Sequence, residues 1–255
     1  MSSSQITQIA HKLQESESVL FITGAGLSAD SGLPTYRGVG GMYDVDSTED
    51  GLPIEELLSG DMLRQRPDLT WKYLAEIAKA CQGANFNRGH EVISAFEQKL
   101  PRSWVLTQNV DGFHRAAGSE NVIDIHGDMH DLWCTGCTWR ECRDDFDDLT
   151  IPPTCPKCDR IVRPRVVLFG EMLPFDKIDR LNDELSKGFD VIIAIGTTAL
   201  FPYIADPVFN AAQTNTLTVE INPGSTELSD VVDIQLKLRA AEALDQIWTA
   251  YSSKQ

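Results

Sequence analysis

Val19-Leu20-Phe21-Ile22-Thr23-Gly24-Ala25-Gly26-Leu27-Ser28-Ala29-Asp30-Ser31-Gly32-Leu33-Pro34-Thr35-Tyr36-Arg37 is the stretch that decides the fold. Its first four residues are a short, β-rich apolar run and read as a buried strand. Glycines directly after a strand let the backbone turn tightly and come close to a ligand. A helix starting near Ser28 would aim its positive end at a phosphate. Gly24-x-Gly26-x-x-Ala29 fits the looser form of the dinucleotide fingerprint, although a turn with glycines for geometry alone fits too. The acid that usually follows about twenty residues on would be Asp44 or Asp46. Gly38-Val39-Gly40-Gly41 lies between and is too glycine-rich for the strand that should carry it. An ordinary dehydrogenase half is therefore excluded. Arg37 offers a fork suited to phosphate, and the glycines after it suit a flap over a bound ligand.

Outward from this turn, strands and helices alternate. Apolar runs at 104–107, 122–125, 166–168, 191–195, 217–221 and 231–234 read as strands. Helical patterns lie near 6–13, 54–58, 69–79, 91–99, 177–186, 204–212 and 240–249. The expected fold class is α/β, a Rossmann-like parallel sheet with helices on both faces, plus a small domain made of a zinc-ribbon module and a helical insertion. Residues 1–38, 89–130 and 162–255 would form the dinucleotide-binding domain, 39–88 the flap and helical insertion, and 131–161 the cysteine module.

The chain has 255 residues and six cysteines. Its N-terminus shows no signal peptide and no run is long enough to span a bilayer, so a cytoplasmic setting is expected. In a reducing compartment cysteines point to metal before disulfides. Cys134-x-x-Cys137 and Cys155-x-x-Cys158, seventeen residues apart, have the spacing of a four-thiolate zinc site. Four protein ligands leave no open position, so the metal would be structural. A net charge of −16 argues against nucleic acid and anionic membrane, and suits a cationic partner such as a lysine-bearing tail.

Several expected strands end in polar sequence: Thr107-Gln108-Asn109-Val110-Asp111, His126-Gly127, Gly196-Thr197-Thr198 and Asn222-Pro223. Each alone is compatible with turn chemistry. Together they place donors and an imidazole at one sheet edge, where ligands of open α/β sheets collect.

With Gly24 to Arg37, the cysteine pairs and Arg163-Pro164-Arg165-Val166-Val167-Leu168-Phe169-Gly170-Glu171, these motifs resemble the sirtuins, NAD-dependent protein lysine deacylases, in the family's order. The resemblance implies NAD as co-substrate and an acetylated lysine-bearing protein or peptide as partner. The acyl oxygen would attack the ribose carbon as nicotinamide leaves, with His126 as general base on a ribose hydroxyl. It further implies that Asn109 holds the ribose and a water and that Asp111 orients the nicotinamide end. Gly24, Ala25, Gly26 and Ser28 would receive the phosphates, and Tyr36, where relatives commonly have Phe, would close over the cofactor with Arg37. Gln108, Gly196, Thr197, Thr198 and Asn222 would line the pocket, and Ala240 the adenine. Val167, Phe169, Gly170 and Glu171 would form a wall to which a peptide adds as a strand. Members that prefer acidic acyl groups carry a Tyr and, three residues later, an Arg; here Tyr73 is followed by Glu76, so neutral acyl chains are expected. Mono-ADP-ribosyl transfer and a non-enzymatic NAD-sensing zinc-ribbon module are the alternatives.

Overall fold

The computed structural model describes residues 2–35 and 48–253. Tyr36, Arg37 and the expected glycine-rich flap after them lie outside these residues.

Six strands form the parallel sheet: β1 (Ser18–Thr23), β2 (Arg102–Thr107), β3 (Val122–Asp124), β7 (Val191–Ile195), β8 (Leu217–Ile221) and β9 (Ile234–Leu236). Their order is β3-β2-β1-β7-β8-β9. Counted along this sheet alone, that is the 3-2-1-4-5-6 arrangement, with the topological switch between β1 and β7. Successive side chains of a strand face opposite ways, so an unbroken apolar run means cover on both faces. Val19, Phe21, Val105, Ile193 and Val219 pack under α1 (Ser2–Gln14), α6 (Arg88–Glu97) and α10 (Ala240–Ser252). Leu20, Ile22, Leu106, Ile192 and Ala194 pack under α8 (Phe175–Ser186) and α9 (Pro202–Ala211). The expected last strand shifts: Val231 and Val232 precede it, and Ile234 begins it.

A third apolar cluster lies apart from the sheet. It joins α3 (Ile54–Leu57), α4 (Gly60–Gln65) and α5 (Pro67–Cys81) to β4 (Gly127–Cys134) and β6 (Val162–Val166), with Trp71 wholly buried. With β5 (Arg140–Cys142), these strands form a separate antiparallel sheet ordered β5-β4-β6. The run Val166-Val167-Leu168 is therefore no strand of the parallel sheet: Val166 ends β6 and Leu168 belongs to this cluster.

Beneath the sheet edge, His90 and His114 are buried with ring centroids 4.9 Å apart, His114 lying in α7 (Phe113–Ala116). Burial pushes them down to about 4 and about 3 respectively, from the usual 6.5. Each native imidazole stays neutral while the unfolded one takes a proton below about pH 6.5. These depressed values mean that stability is retained above pH 6.5 and lost as pH falls from there, by about 1.4 kcal/mol per pH unit for each ring. Urea midpoints measured from about pH 7 to about pH 5 should fall, and the slope should flatten in a His114→Gln chain. Equal slopes in the two chains would contradict this account.

Candidate active site

The site begins where the loops after β1 and β7 touch. The Gly24 amide donates to the Ile195 carbonyl (3.0 Å) and the Gly26 amide to the Gly196 carbonyl (2.8 Å). A Cβ on Gly24 would lie 2.8 Å from the Gly196 oxygen, and one on Gly26 2.6 Å from the Gly196 Cα. Gly196 itself sits at φ +57°. Glycine is required at all three positions so that two backbones can meet. The amides of Gly24 and Gly26, expected to face phosphates, are engaged by the neighbouring loop instead. The expected helix also starts earlier: α2 (Ala25–Ser28) is one turn, followed by a 3₁₀ turn through Ser31. Asp30 in that turn accepts the Ala241 amide (2.8 Å) and Arg239 Nε (2.5 Å). It thereby caps α10, whose N-cap Arg239 supplies no side-chain bond, and fixes the buried Ala240.

The polar residues after β2 connect to these loops. Asn109 Nδ2 donates to the Gly24 carbonyl and to Ser28 Oγ, both at 3.0 Å. Ser28 Oγ donates to Asp111 Oδ2 at 2.6 Å, and the Phe113 amide to Asp111 Oδ1 at 3.0 Å. Burial raises the Asp111 carboxyl above its ordinary range, against the pull of Ser28 and the Phe113 amide. A cavity of 10 Å³, about the space of one water, is lined by Asn109, Asp111, Asp124 and Asp128 among others. Gln108 Nε2 donates to Thr197 Oγ1 (2.8 Å), and Asn222 Nδ2 to the Thr197 carbonyl (3.1 Å). Thr198 is exposed on the same loop. The ends of β1, β2, β7 and β8 are thus tied into one rim at the switch point.

His126 follows β3. Its Nδ1 lies 3.1 Å from the Gln108 carbonyl and its Nε2 2.7 Å from the Tyr203 hydroxyl. A carbonyl only accepts, so the proton sits on Nδ1 and the lone pair on Nε2. Burial lowers the His126 pKa, the Gln108 carbonyl opposes, and Lys177 lowers it further. The ring is neutral at pH 7. Lys177 Nζ donates to the Asp124 carbonyl (2.6 Å) and pairs with its carboxylate (2.9 Å), pinning the start of α8 to the end of β3. Phe201 and Tyr203 stack at 5.4 Å, and both rings stand roughly perpendicular to His126 with centroids 5.9 Å away. Sequence reading missed this pair. Its one signal was the two aromatics flanking Pro202, just ahead of the helical pattern that begins at Ile204.

The expected peptide wall is largely bonded within the protein. The Val167 amide donates to the His126 carbonyl (2.8 Å) and the Phe169 amide to the Leu58 carbonyl (2.9 Å). The Phe169 carbonyl accepts from Gly60 (3.0 Å), and Gly170 turns the chain at φ +78°. Glu171 holds Arg163 through two bonds of 2.6 and 2.9 Å and accepts the Leu168 amide. Burial pushes the Glu171 carboxyl up, but Arg163 and the Leu168 amide carry it below its usual value. Glu171 locks this loop. Tyr73 is buried in the third cluster with its hydroxyl on Asp50 at 2.6 Å, and burial raises the Glu76 carboxyl. Neither the phenol so tied nor Glu76 makes an anionic fork.

The four cysteines converge. Cys134 and Cys158 sulfurs are 3.4 Å apart, Cys137 and Cys155 3.7 Å, and all four ligand atoms lie within 4.8 Å of one another. Sulfurs about 2.3 Å from a tetrahedral zinc would stand about 3.8 Å apart. Amides of Gly136 and Lys157 donate to Cys134 and Cys155 sulfurs, the knuckle pattern that steadies thiolates. The set is suited to a structural zinc. Cys81, half-buried, and Cys142, exposed, stand outside it.

Residues 24–201 match the Sir2 family. The chain is 51% identical over 249 residues to NAD-dependent protein deacylase 2 of Pseudomonas aeruginosa, covering 96% of this chain and 97% of that one. It superimposes on a Sir2 homolog–NAD complex with a TM-score of 0.86 at 33% identity, covering 97% of this chain and 94% of the other. A Sir2 variant with deacetylated p53 peptide and 3'-O-acetyl ADP-ribose gives a TM-score of 0.84 at 25% identity, covering 95% and 96%. Among the described residues no helix is long and apolar enough to cross a membrane. A 3-2-1-4-5-6 sheet with its strand ends tied into one rim at the switch, a four-cysteine module and a match over residues 24–201 lead to one conclusion: the chain belongs to the Sir2 family.

Proposed function

We propose that the chain is an NAD-dependent protein deacetylase, removing acetyl from lysine side chains of cytoplasmic proteins. The observation that carries this reading is the state of His126: neutral, with its lone pair on Nε2, held between the Gln108 carbonyl at the end of β2 and the Tyr203 hydroxyl. Bound there, NAD would supply an electrophilic ribose carbon and ribose hydroxyls. His126 Nε2 would take the hydroxyl proton, a role that contributes about 10²–10⁴-fold. Asn109 and Asp111, braced through Ser28, would orient the nicotinamide half, and Asn109 also a water. Gln108, Gly196, Thr197, Thr198 and Asn222 would line the remainder, with Ala25 and Ser28 toward the phosphates and Ala240 toward the adenine. The bonding of Gly24 and Gly26 supports a shaping role for them. Val167, Phe169 and Gly170 would border the acyl-lysine, with Glu171 holding them in place.

The P. aeruginosa relative is a deacylase by name, which leaves the acyl group open; Tyr73 and Glu76 favour a neutral one. Incubation with NAD and one peptide in acetylated and succinylated form decides. The acetyl peptide should turn over faster, with acetyl-ADP-ribose among the products by mass spectrometry. Faster desuccinylation would overturn the acetyl assignment. A mass gain of ADP-ribose on protein, without loss of acyl groups, would favour ADP-ribosyl transfer.

A further inference from the structure

Resting on His126 as the base, the contact between Tyr203 and His126 raises a conflict. An imidazole nitrogen in this tautomer has one in-plane lone pair and accepts one strong hydrogen bond. The Tyr203 hydroxyl occupies it at 2.7 Å. A base that must reach a ribose hydroxyl cannot serve both.

Two resolutions exist: the tyrosine relays the proton, or it leaves. A relay needs the phenol to give its proton to His126. Burial pushes the Tyr203 phenol up to about 12, while His126 lies below the ordinary 6.5. A raised phenol beside a lowered imidazole disfavours leaving a phenolate–imidazolium pair. Departure is the cheaper course.

We propose that Tyr203 is a positioning residue whose hydroxyl stands in for the ribose hydroxyl on His126 Nε2 and gives up that place when NAD binds. In the cofactor-free chain it completes the bonding that begins at the Gln108 carbonyl, so proton and lone pair are already assigned before NAD arrives. Its ring lies on Phe201, and the pair forms an aromatic border beside the imidazole. The other groups facing His126 are the Gln108 carbonyl from the end of β2, Lys177 of α8, and Asp124 of β3, to which Lys177 is bonded. Tyr203→Phe removes one oxygen and leaves all of these in place.

The hydroxyl bonds to the neutral imidazole and so favours it. Without it, the His126 pKa in the cofactor-free chain should rise by about 0.5–1 unit, read by NMR titration of the ring. The acid limb of kcat/KM, which reports the free enzyme, should move up by the same amount. The acid limb of kcat should stay where it is, because Tyr203 has already left the nitrogen in the complex. With the contact no longer to be broken, kcat/KM well above that limb should rise about threefold to tenfold. In the unsubstituted chain, saturating ADP-ribose should move the Tyr203 ring resonances and leave those of Phe189 unchanged. An unchanged His126 pKa in Tyr203→Phe, or a proton found on Nε2, overturns the proposal whatever reaction the chain performs. A raised pKa whose kcat/KM limb does not follow also overturns it, since the bond would then not compete with NAD. A loss of kcat would mean that the hydroxyl is needed in the complex, and would overturn it too.

Discussion

Replacing His126 by Ala should slow deacetylation about 10²–10⁴-fold while NAD still binds. The loss is this large because the groups tied into the strand-end rim offer no substitute for the lone pair on Nε2. Gln108, Asn109, Ser28 and Thr197 are neutral, bonded to one another, and ordinarily neither gain nor lose protons near pH 7. Of the carboxylates described, Asp111 is held by Ser28 and the Phe113 amide, and Asp124 is paired with Lys177. Truncation also strips a partner from the carbonyl of the half-buried Gln108, at a cost of about 1 kcal/mol. A modest fall in melting temperature should accompany the catalytic loss, and comparing turnover well below that temperature separates the two. An NAD-sensing module would keep its function in the variant. Turnover within tenfold of the unsubstituted chain would remove His126 from the chemistry.

The parallel sheet was legible because its strands are buried on both faces, and such strands appear as unbroken apolar runs. Polar residues at their ends were legible for a related reason: side chains at a sheet's carboxyl edge have left the core. The antiparallel sheet was not. β5 is exposed throughout and reads Arg140-Glu141-Cys142, and β6 contains Pro164 between two arginines. β5 is too short to show an alternation, and the proline in β6 masks the Val162-Arg163-Pro164-Arg165-Val166 alternation that is there. The run at Val166 misled because an apolar stretch does not say which core it enters. Glu171 misled differently: its partner, Arg163, is eight residues away, beyond any local pattern. The glycines signal a close backbone approach, but sequence cannot tell close approach to a ligand from close approach to a second loop. It is the fold that brings Gly26 against Gly196. Tyr203 escaped notice because its role depends on an imidazole seventy-seven residues earlier.

Cys155→Ser should cost the chain its zinc and, with it, most of its activity, although no cysteine approaches His126. Two of the four ligands are embedded in the third cluster: Cys155 is fully buried and Cys134 is 4% exposed, in company with Trp71, Phe146 and Val162. Deprived of the ion, four sulfurs within 4.8 Å of one another keep only weak contacts, chiefly the amides of Gly136 and Lys157. Loss of a structural metal is among the few single changes that destabilise by more than about 4 kcal/mol. The disturbance has a short route to the base. Cys134 ends β4, and β4 begins at Gly127, beside His126. β6 pairs along it from Cys134↔Val162 to Gly127↔Val166, and the Val167 amide then donates to the His126 carbonyl. Gly127 has no slack in that ladder, since a Cβ there would lie 1.8 Å from the Arg165 oxygen. Loosening the cysteine end therefore frees the strand pair that holds the base against Gln108. The expected signature is a metal content near zero, a red shift in tryptophan fluorescence as Trp71 is exposed, and a fall in kcat larger than the rise in KM for NAD. The parallel sheet, with its own core on each face, should retain the helical circular dichroism of α1, α6 and α10. A zinc-free chain with the melting temperature and kcat of the loaded one would show that the module neither supports β4 nor reaches the site.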